Sequence, residues 1–258
     1  MVSGKFYDSQ LTKPSLTKPP PMRLLAIGDI HGCATALETL LGFVRPVPGD
    51  QMVTLGDYVD RGPDSKGVLD RLIALHVAGQ LVPLRGNHEV MMLGAIEGGW
   101  DDLRFWLTCG GMETLESYVQ PGGAPSPEHV PATHWHFLKH TCIDWYETGK
   151  CLFVHANLDP ELPLHVQPPA QLHWECISPQ WHRPHVSGKK MICGHTEQRS
   201  GLPLNLGSAV CIDTWAYGDG WLTCLDVNSS EYWQANELGE TRQGRLEPSS
   251  EFRALRSE

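Results

Sequence analysis

Leu24-Leu25-Ala26-Ile27-Gly28-Asp29-Ile30-His31-Gly32 sets four apolar residues, the length of a short buried strand, directly before a turn that carries a carboxylate and an imidazole. The same arrangement recurs down the chain. The run at 52–55 (MVTL) enters Gly56-Asp57-Tyr58-Val59-Asp60-Arg61-Gly62, and the run at 81–84 (LVPL) enters Arg85-Gly86-Asn87-His88-Glu89. The run at 151–154 (CLFV) delivers His155, and that at 190–193 (KMIC) delivers Gly194-His195. In open α/β sheets the carboxyl ends of the strands form the edge where ligands bind. Parallel neighbours would therefore gather these turns on one rim.

Working outward, Ala34, Leu37, Leu40, Leu41 and Val44 form an apolar stripe at helical spacing between the first two runs. Asp64-Ser65 reads as a helix cap before a second stripe, Val68, Leu69, Leu72, Ile73 and Leu75, which stops at Gly79. Runs alternating with helices predict an α/β architecture. The later runs at 209–212, 221–227 and 231–234 are too close for helical crossovers and predict antiparallel pairing.

The chemistry of the rim follows from its residue types. Asp29, Asp57, His31, His155, His195 and Asn87 make an oxygen and nitrogen set without thiolates, suited to hard or borderline divalent cations. That set exceeds the needs of one ion. Two ions sharing a carboxylate account for it, with Mn²⁺ ahead of Fe or Zn. His88, beside Asn87, is a non-ligand imidazole, and Asp60 supplies a carboxylate to orient it as a general acid. Arg61 offers a planar fork for phosphate that a Lys would lack.

The rest of the chain bounds these readings. Of 258 residues, 41% are hydrophobic, enough for one sizeable core. Twenty Lys and Arg against thirty Asp and Glu leave a formal charge of -10, which disfavours nucleic acid or an anionic membrane as partner. Apolar runs fall short of the ~20 residues of a membrane span, and the N-terminus lacks a signal-like apolar segment, so a cytoplasmic location is expected. Residues 1–21 repeat LTKP and end in three prolines, the composition of a flexible leader before a catalytic domain at 22–236. Residues 237–258 read as a polar tail. The eight cysteines lack the C-x-x-C spacing of zinc or redox sites and read as buried thiols.

GDIHG, GDYVDRG, GNHE and two later histidines, in that order, resemble the phosphoprotein phosphatase (serine/threonine phosphatase-like) family of the calcineurin-like metallophosphoesterases. The likeness spans roughly residues 22–227. Gly110-Gly111 followed by Thr114-Leu115-Glu116, and Ile212-Asp213-Thr214 followed by Gly220-Trp221-Leu222-Thr223, resemble its bacterial members. The resemblance implies a central β-sandwich flanked by helices, with a dimetal site at the carboxyl ends of strands. Asp29 and His31 would bind one metal, Asp57 would bridge, and Asn87, His155 and His195 would bind the other. Arg61 and Asn87 would hold the phosphate. His88, oriented by Asp60, would protonate the leaving group as a metal-bridging hydroxide attacks in line. The implied substrate is a phosphorylated protein, carrying phosphoserine, phosphothreonine or phosphotyrosine, or a small phosphoester. The alternatives are a nucleotide enzyme of the diadenosine tetraphosphate hydrolase type and a non-catalytic scaffold; Asp60, typically missing in the former, is read in favour of the monoesterase. The family's second clamp, an Arg near residues 172–176, is replaced by Glu175 and Cys176, with Arg183 the nearest substitute, and Trp215 stands where Gly is common.

Overall fold

In the computed structural model, which describes residues 22–247, two sheets pack face to face. The first runs β11-β10-β9-β1-β2-β3 and the second β4-β5-β6-β8-β7. The five apolar runs become β1 (Leu24–Ile27), β2 (Gln51–Thr54), β3 (Leu81–Pro83), β5 (Cys151–Val154) and β6 (Lys190–Cys193). Also present are β4 (Trp145–Glu147), β7 (Leu204–Asn205), β8 (Ala209–Cys211), β9 (Leu222–Asp226), β10 (Glu231–Ala235) and β11 (Thr241–Arg245).

Side-chain alternation explains why so many short runs are apolar throughout. In β1, Leu25 and Ile27 face the helices, α1 (Ala34–Val44) and α2 (Ser65–Val77), while Ala26 faces the second sheet. In β5, Cys151 and Phe153 meet that inter-sheet core and Leu152 and Val154 face an outer cluster with Leu158, Leu164 and Leu172. Strands covered on both faces cannot alternate with polar residues. Each fully buried Leu or Phe contributes roughly 1.5–3 kcal/mol, so both faces are held. The two stripes read from sequence are the buried faces of α1 and α2, and Asp64 caps α2 by accepting from Gly67 N at 2.7 Å.

Two expectations change. The chemical runs do not share one sheet: β1, β2 and β3 are parallel neighbours in the first, β5 and β6 in the second. Of the late runs, β9 and β10 pair antiparallel, but β8 pairs parallel with β6. The described part of the expected tail holds β11, paired along its length with β10. The expected leader, residues 1–21, and residues 248–258 lie outside the described residues. Of the cysteines, Cys176 is exposed and Cys109 only half-buried. No helix among the described residues is long and apolar enough to cross a membrane.

Candidate active site

The carboxyl ends of the two parallel sets meet across the sandwich, and backbone hydrogen bonds lock them. Ile30 N and His31 N both donate to Asp57 O, at 2.9 and 2.7 Å, joining the turns after β1 and β2. His155 Nδ1 donates to Leu55 O at 2.9 Å, which ties the end of β5 to the end of β2 across the two sheets.

Asp57 is central. His31 Nε2 lies 3.4 Å from its Oδ2 and His155 Nε2 lies 3.4 Å from its Oδ1. Two clusters able to hold a cation share it: His31, Asp57 and His88, and Asp57, His155 and His195. His31 Nδ1 donates to Val59 O at 3.0 Å, so His31, like His155, turns its Nε2 lone pair inward. His195 is fixed by Nε2 against Trp174 O at 3.1 Å and presents Nδ1. Asn87 lies between His155 Nε2 and His195 Nδ1, at 2.9 and 3.0 Å. With its amide nitrogen there it donates to both lone pairs and to Asp57. Asp29 is placed beside these residues by His195 N, which donates to its Oδ2 at 2.8 Å. Its Oδ1 is buried without a partner.

Electrostatics match this arrangement. Burial pushes the Asp57 carboxyl up, but His155, His88, His31 and His195 together hold it below the usual carboxylate range. Burial pushes Asp29 well up, with Asp213 and Asp57 adding to it. Burial also lowers His31, His195 and His155, the last to about 4, so these imidazoles are neutral at pH 7 and carry lone pairs. An orphaned buried carboxylate oxygen, a shared carboxylate and three tautomer-locked imidazoles fit a pair of divalent cations.

His88 differs from the other imidazoles. Its Nδ1 is 2.6 Å from Asp60 Oδ2, while Nε2 is 4.0 Å from Asp57 Oδ2. Asp60 is saturated with donors. Trp106 Nε1 donates to it at 2.9 and 3.0 Å and Thr114 Oγ1 at 2.7 Å. Burial favours the uncharged ring, but Asp57 and Asp60 outweigh it and raise the His88 pKa.

Several residues that the sequence reading left without a role hold this geometry. Glu89 is fully buried, and its carboxylate accepts from Gly86 N, Asp57 N and Tyr58 N at 2.7–2.8 Å. Burial first, then Asp57, raises it to about 7. An unpaired buried carboxylate would cost several kcal/mol, so these amides fix the turn after β2 and the carboxylate together. Trp106 carries no local signal in the sequence, and Thr114 only its place shortly after Gly110-Gly111. Glycine is required twice by close approach: a Cβ on Gly86 would stand 2.1 Å from Asp57 Oδ1, and one on Gly194 1.9 Å from Asp29 Oδ1. Backbone conformation marks the site too. Among the described residues, six of the eight non-glycine positions with positive φ are His31, Asp57, Asp60, Arg61, His195 and Trp215. Left-handed conformations persist where surrounding structure enforces them, most often at functional sites.

Arg61 reaches the site, with Nη1 3.1 Å from His31 Nε2. Arg183 does not. It is 66% exposed, pairs with Glu161 at 3.0 Å and lines a cavity of about 210 Å³ with Asn157, Trp181 and His182.

The profile of the calcineurin-like phosphoesterases matches residues 22–198, and the chain belongs to that family. The symmetrical bis(5'-nucleosyl)-tetraphosphatase of Acidovorax sp. (strain JS42) is 45% identical over 144 residues, 54% of this chain and 46% of the relative. The protein of the same name from Ralstonia nicotianae is 36% identical over 137 residues, 53% of this chain and 42% of the relative. The chain thus spans under half the length of these curated relatives. A solved structure assigned provisionally to a diadenosine tetraphosphatase superposes with a TM-score of 0.61 at 18% identity, over 90% of this chain and 97% of that one. A protein serine/threonine phosphatase from Saccharomyces cerevisiae gives 0.54 at 17% identity, over 90% and 82%. Those likenesses show the fold alone.

These relatives overturn the expectation of a phosphoserine or phosphothreonine phosphatase. That expectation leaned on Asp60. In the fold Asp60 holds His88, and that contact says nothing of what a leaving group carries.

Proposed function

We propose that the chain hydrolyses a phosphoanhydride of a nucleotide polyphosphate, of the diadenosine tetraphosphate type. The observation that carries this reading is the 45% identity to a symmetrical bis(5'-nucleosyl)-tetraphosphatase. The intact cluster of inward-facing ligands supports a hydrolase over a non-catalytic scaffold.

Asp29, His31, Asp57, Asn87, His155 and His195 would hold two divalent cations, with Asp57 between them; such a pair neutralises phosphate charge and supplies an activated water. The chain's own residues do the rest. The Arg61 fork binds phosphoryl oxygens, and the Asn87 amide adds a neutral contact. His88 keeps one proton on Nδ1, donated to Asp60, and delivers the other from Nε2 to the departing oxygen. Trp106 and Thr114 pin Asp60, so the imidazole is aimed before substrate arrives. A phosphate leaving group needs that proton less than an alkoxide does, yet the arrangement serves either. Residues 22–236 form the catalytic unit, and β11 completes its first sheet.

The test is a comparison of kcat/KM for diadenosine tetraphosphate and a phosphoserine peptide with divalent metal supplied, with nucleotide products separated by chromatography. The expected result is faster turnover of the dinucleotide, giving two nucleoside diphosphates. Faster turnover of the peptide, or none of the dinucleotide, overturns the reading.

A further inference from the structure

The Arg61 guanidinium is already engaged by an anion of the chain itself. Its Nη1 lies 3.5 Å from Glu197 Oε1, and its central carbon lies 4.6 Å from the centroid of the Tyr217 ring. The Tyr217 hydroxyl donates to that same Glu197 oxygen. Arg199 holds the other one, with Nη2 3.3 Å from Oε2. The Tyr217 ring meets His31 edge-on at 4.9 Å, and the Arg199 guanidinium stacks on Trp215 at 5.0 Å. Gly218 and Gly220 leave room for this corner: a Cβ on Gly218 would stand 2.2 Å from the Trp215 ring.

A carboxylate and a phosphoryl group offer an arginine fork the same anionic oxygens. We propose that Glu197 is an internal anion seated on the clamp, displaced when a phosphate of the substrate takes Arg61. This rests on Arg61 being the clamp. The contact is a poor stabilising ion pair: it is long, and the two side chains are 32% and 22% exposed, so its loss costs the fold little. Leaving Arg61 does not strand the carboxylate either. Glu197 keeps Arg199 and the Tyr217 hydroxyl, so the exchange avoids an unpaired, partly buried charge. Glu197 thus sets a threshold that an incoming anion must exceed. A polyphosphate, with charge on several phosphoryl groups, passes it more easily than a weakly charged ligand.

The two roles open to Glu197 predict opposite signs. A competing anion weakens phosphate binding, whereas a residue that merely orients Arg61 strengthens it. Calorimetry of inorganic phosphate binding to the metal-supplemented protein separates them, with KM and kcat measured alongside. Glu197→Gln should tighten phosphate by about threefold to tenfold and lower KM with kcat little changed. Tyr217→Phe, which keeps the ring over Arg61 and removes the hydroxyl that holds Glu197, should shift binding in the same direction by less. Arg61→Ala should weaken phosphate in both backgrounds and erase the difference between them. If Arg61→Ala weakens phosphate but Glu197→Gln leaves it unchanged or weaker, Glu197 is a support and the proposal fails while the clamp stands. If Arg61→Ala has no effect, the clamp reading falls and takes the proposal with it. Melting temperatures of each variant identify any that are simply unfolded.

Discussion

The rim after β1, β2 and β3 and the rim after β5 and β6 meet at one site but are built differently. On the first, His31, Asp57, Asp60 and His88 are almost wholly buried, and three of them sit on left-handed or donor-saturated backbone and side-chain frames. Their polar atoms are tied to Val59 O, to Glu89 through the adjoining amides, and to Trp106 and Thr114. On the second, His155 is buried, but His195 is half-exposed and leans on the carbonyl of exposed Trp174. The chain from 157 to 185 there holds only short helical turns, around the cavity that Arg183 lines. The contrast separates two demands. Proton delivery, the role proposed for His88 and Asp60, tolerates errors of a fraction of an ångström poorly, and the frame around them is correspondingly over-determined. Access needs a looser frame, which the second rim has, while the proposed phosphate clamp, Arg61, stands on the first.

The largest expected break falls on the residue that both rims share. Asp57→Asn should remove the common carboxylate and lower turnover by about 10³-fold or more, with both metals reduced in elemental analysis; retention of two tightly bound metals would contradict its position between the clusters. His88→Asn should lower kcat by about 10²–10⁴-fold on a poor leaving group with metal content near wild type. Loss of metal instead would make His88 a ligand. Trp106→Phe removes one donor to Asp60 and should cost about tenfold in kcat with little change in KM. A change confined to KM would show that Trp106 serves substrate binding rather than proton delivery.

Smaller effects probe the frame and the second rim. Asp50, immediately before β2, accepts from Arg23 N and Nε at 3.1 and 3.0 Å and from Val47 N at 2.9 Å. Burial pushes its carboxyl up, but Arg23 and the Val47 amide outweigh it and hold it below the usual value. A depressed folded-state pKa gives stability that is present above the unfolded value of about 3.9 and lost as pH falls through the folded one. Asp50→Asn should therefore cost about 1–3 kcal/mol at pH 7 and flatten the decline of melting temperature in acid. Arg183→Ala should change KM by less than about threefold, because Arg183 is solvent-exposed and engaged with Glu161. A larger effect would bring the second rim's cavity into substrate binding.

Much of the first rim was legible because its candidate ligands follow their strands directly. A run such as LLAI followed by GDIHG states both burial and chemistry within one segment. Residues that work from elsewhere carried no such mark. Trp106 reaches Asp60 from the helix Trp100–Trp106, and Glu197 meets Arg61 from 136 positions along the chain; nothing beside either residue in the sequence points to its partner. β4 and β11 were hidden for another reason: as edge strands they bury one face or neither, so their residues lack an apolar run. The substrate class is not legible in Asp60, because a carboxylate that orients an imidazole suits phosphoesters and phosphoanhydrides alike.

The sequence by itself determined the wider calcineurin-like family, the α/β alternation and which side chains follow the apolar runs, since burial and residue type are local properties of short segments. Only the tertiary structure decided which strands carry the rim in each sheet, how close His31 and His155 stand to Asp57, that Arg183 pairs with Glu161 and that Glu197 sits on Arg61. Those are relations between residues up to 166 positions apart, as for Asp29 and His195. Their distances are fixed by how two sheets pack, which is not written in any one segment.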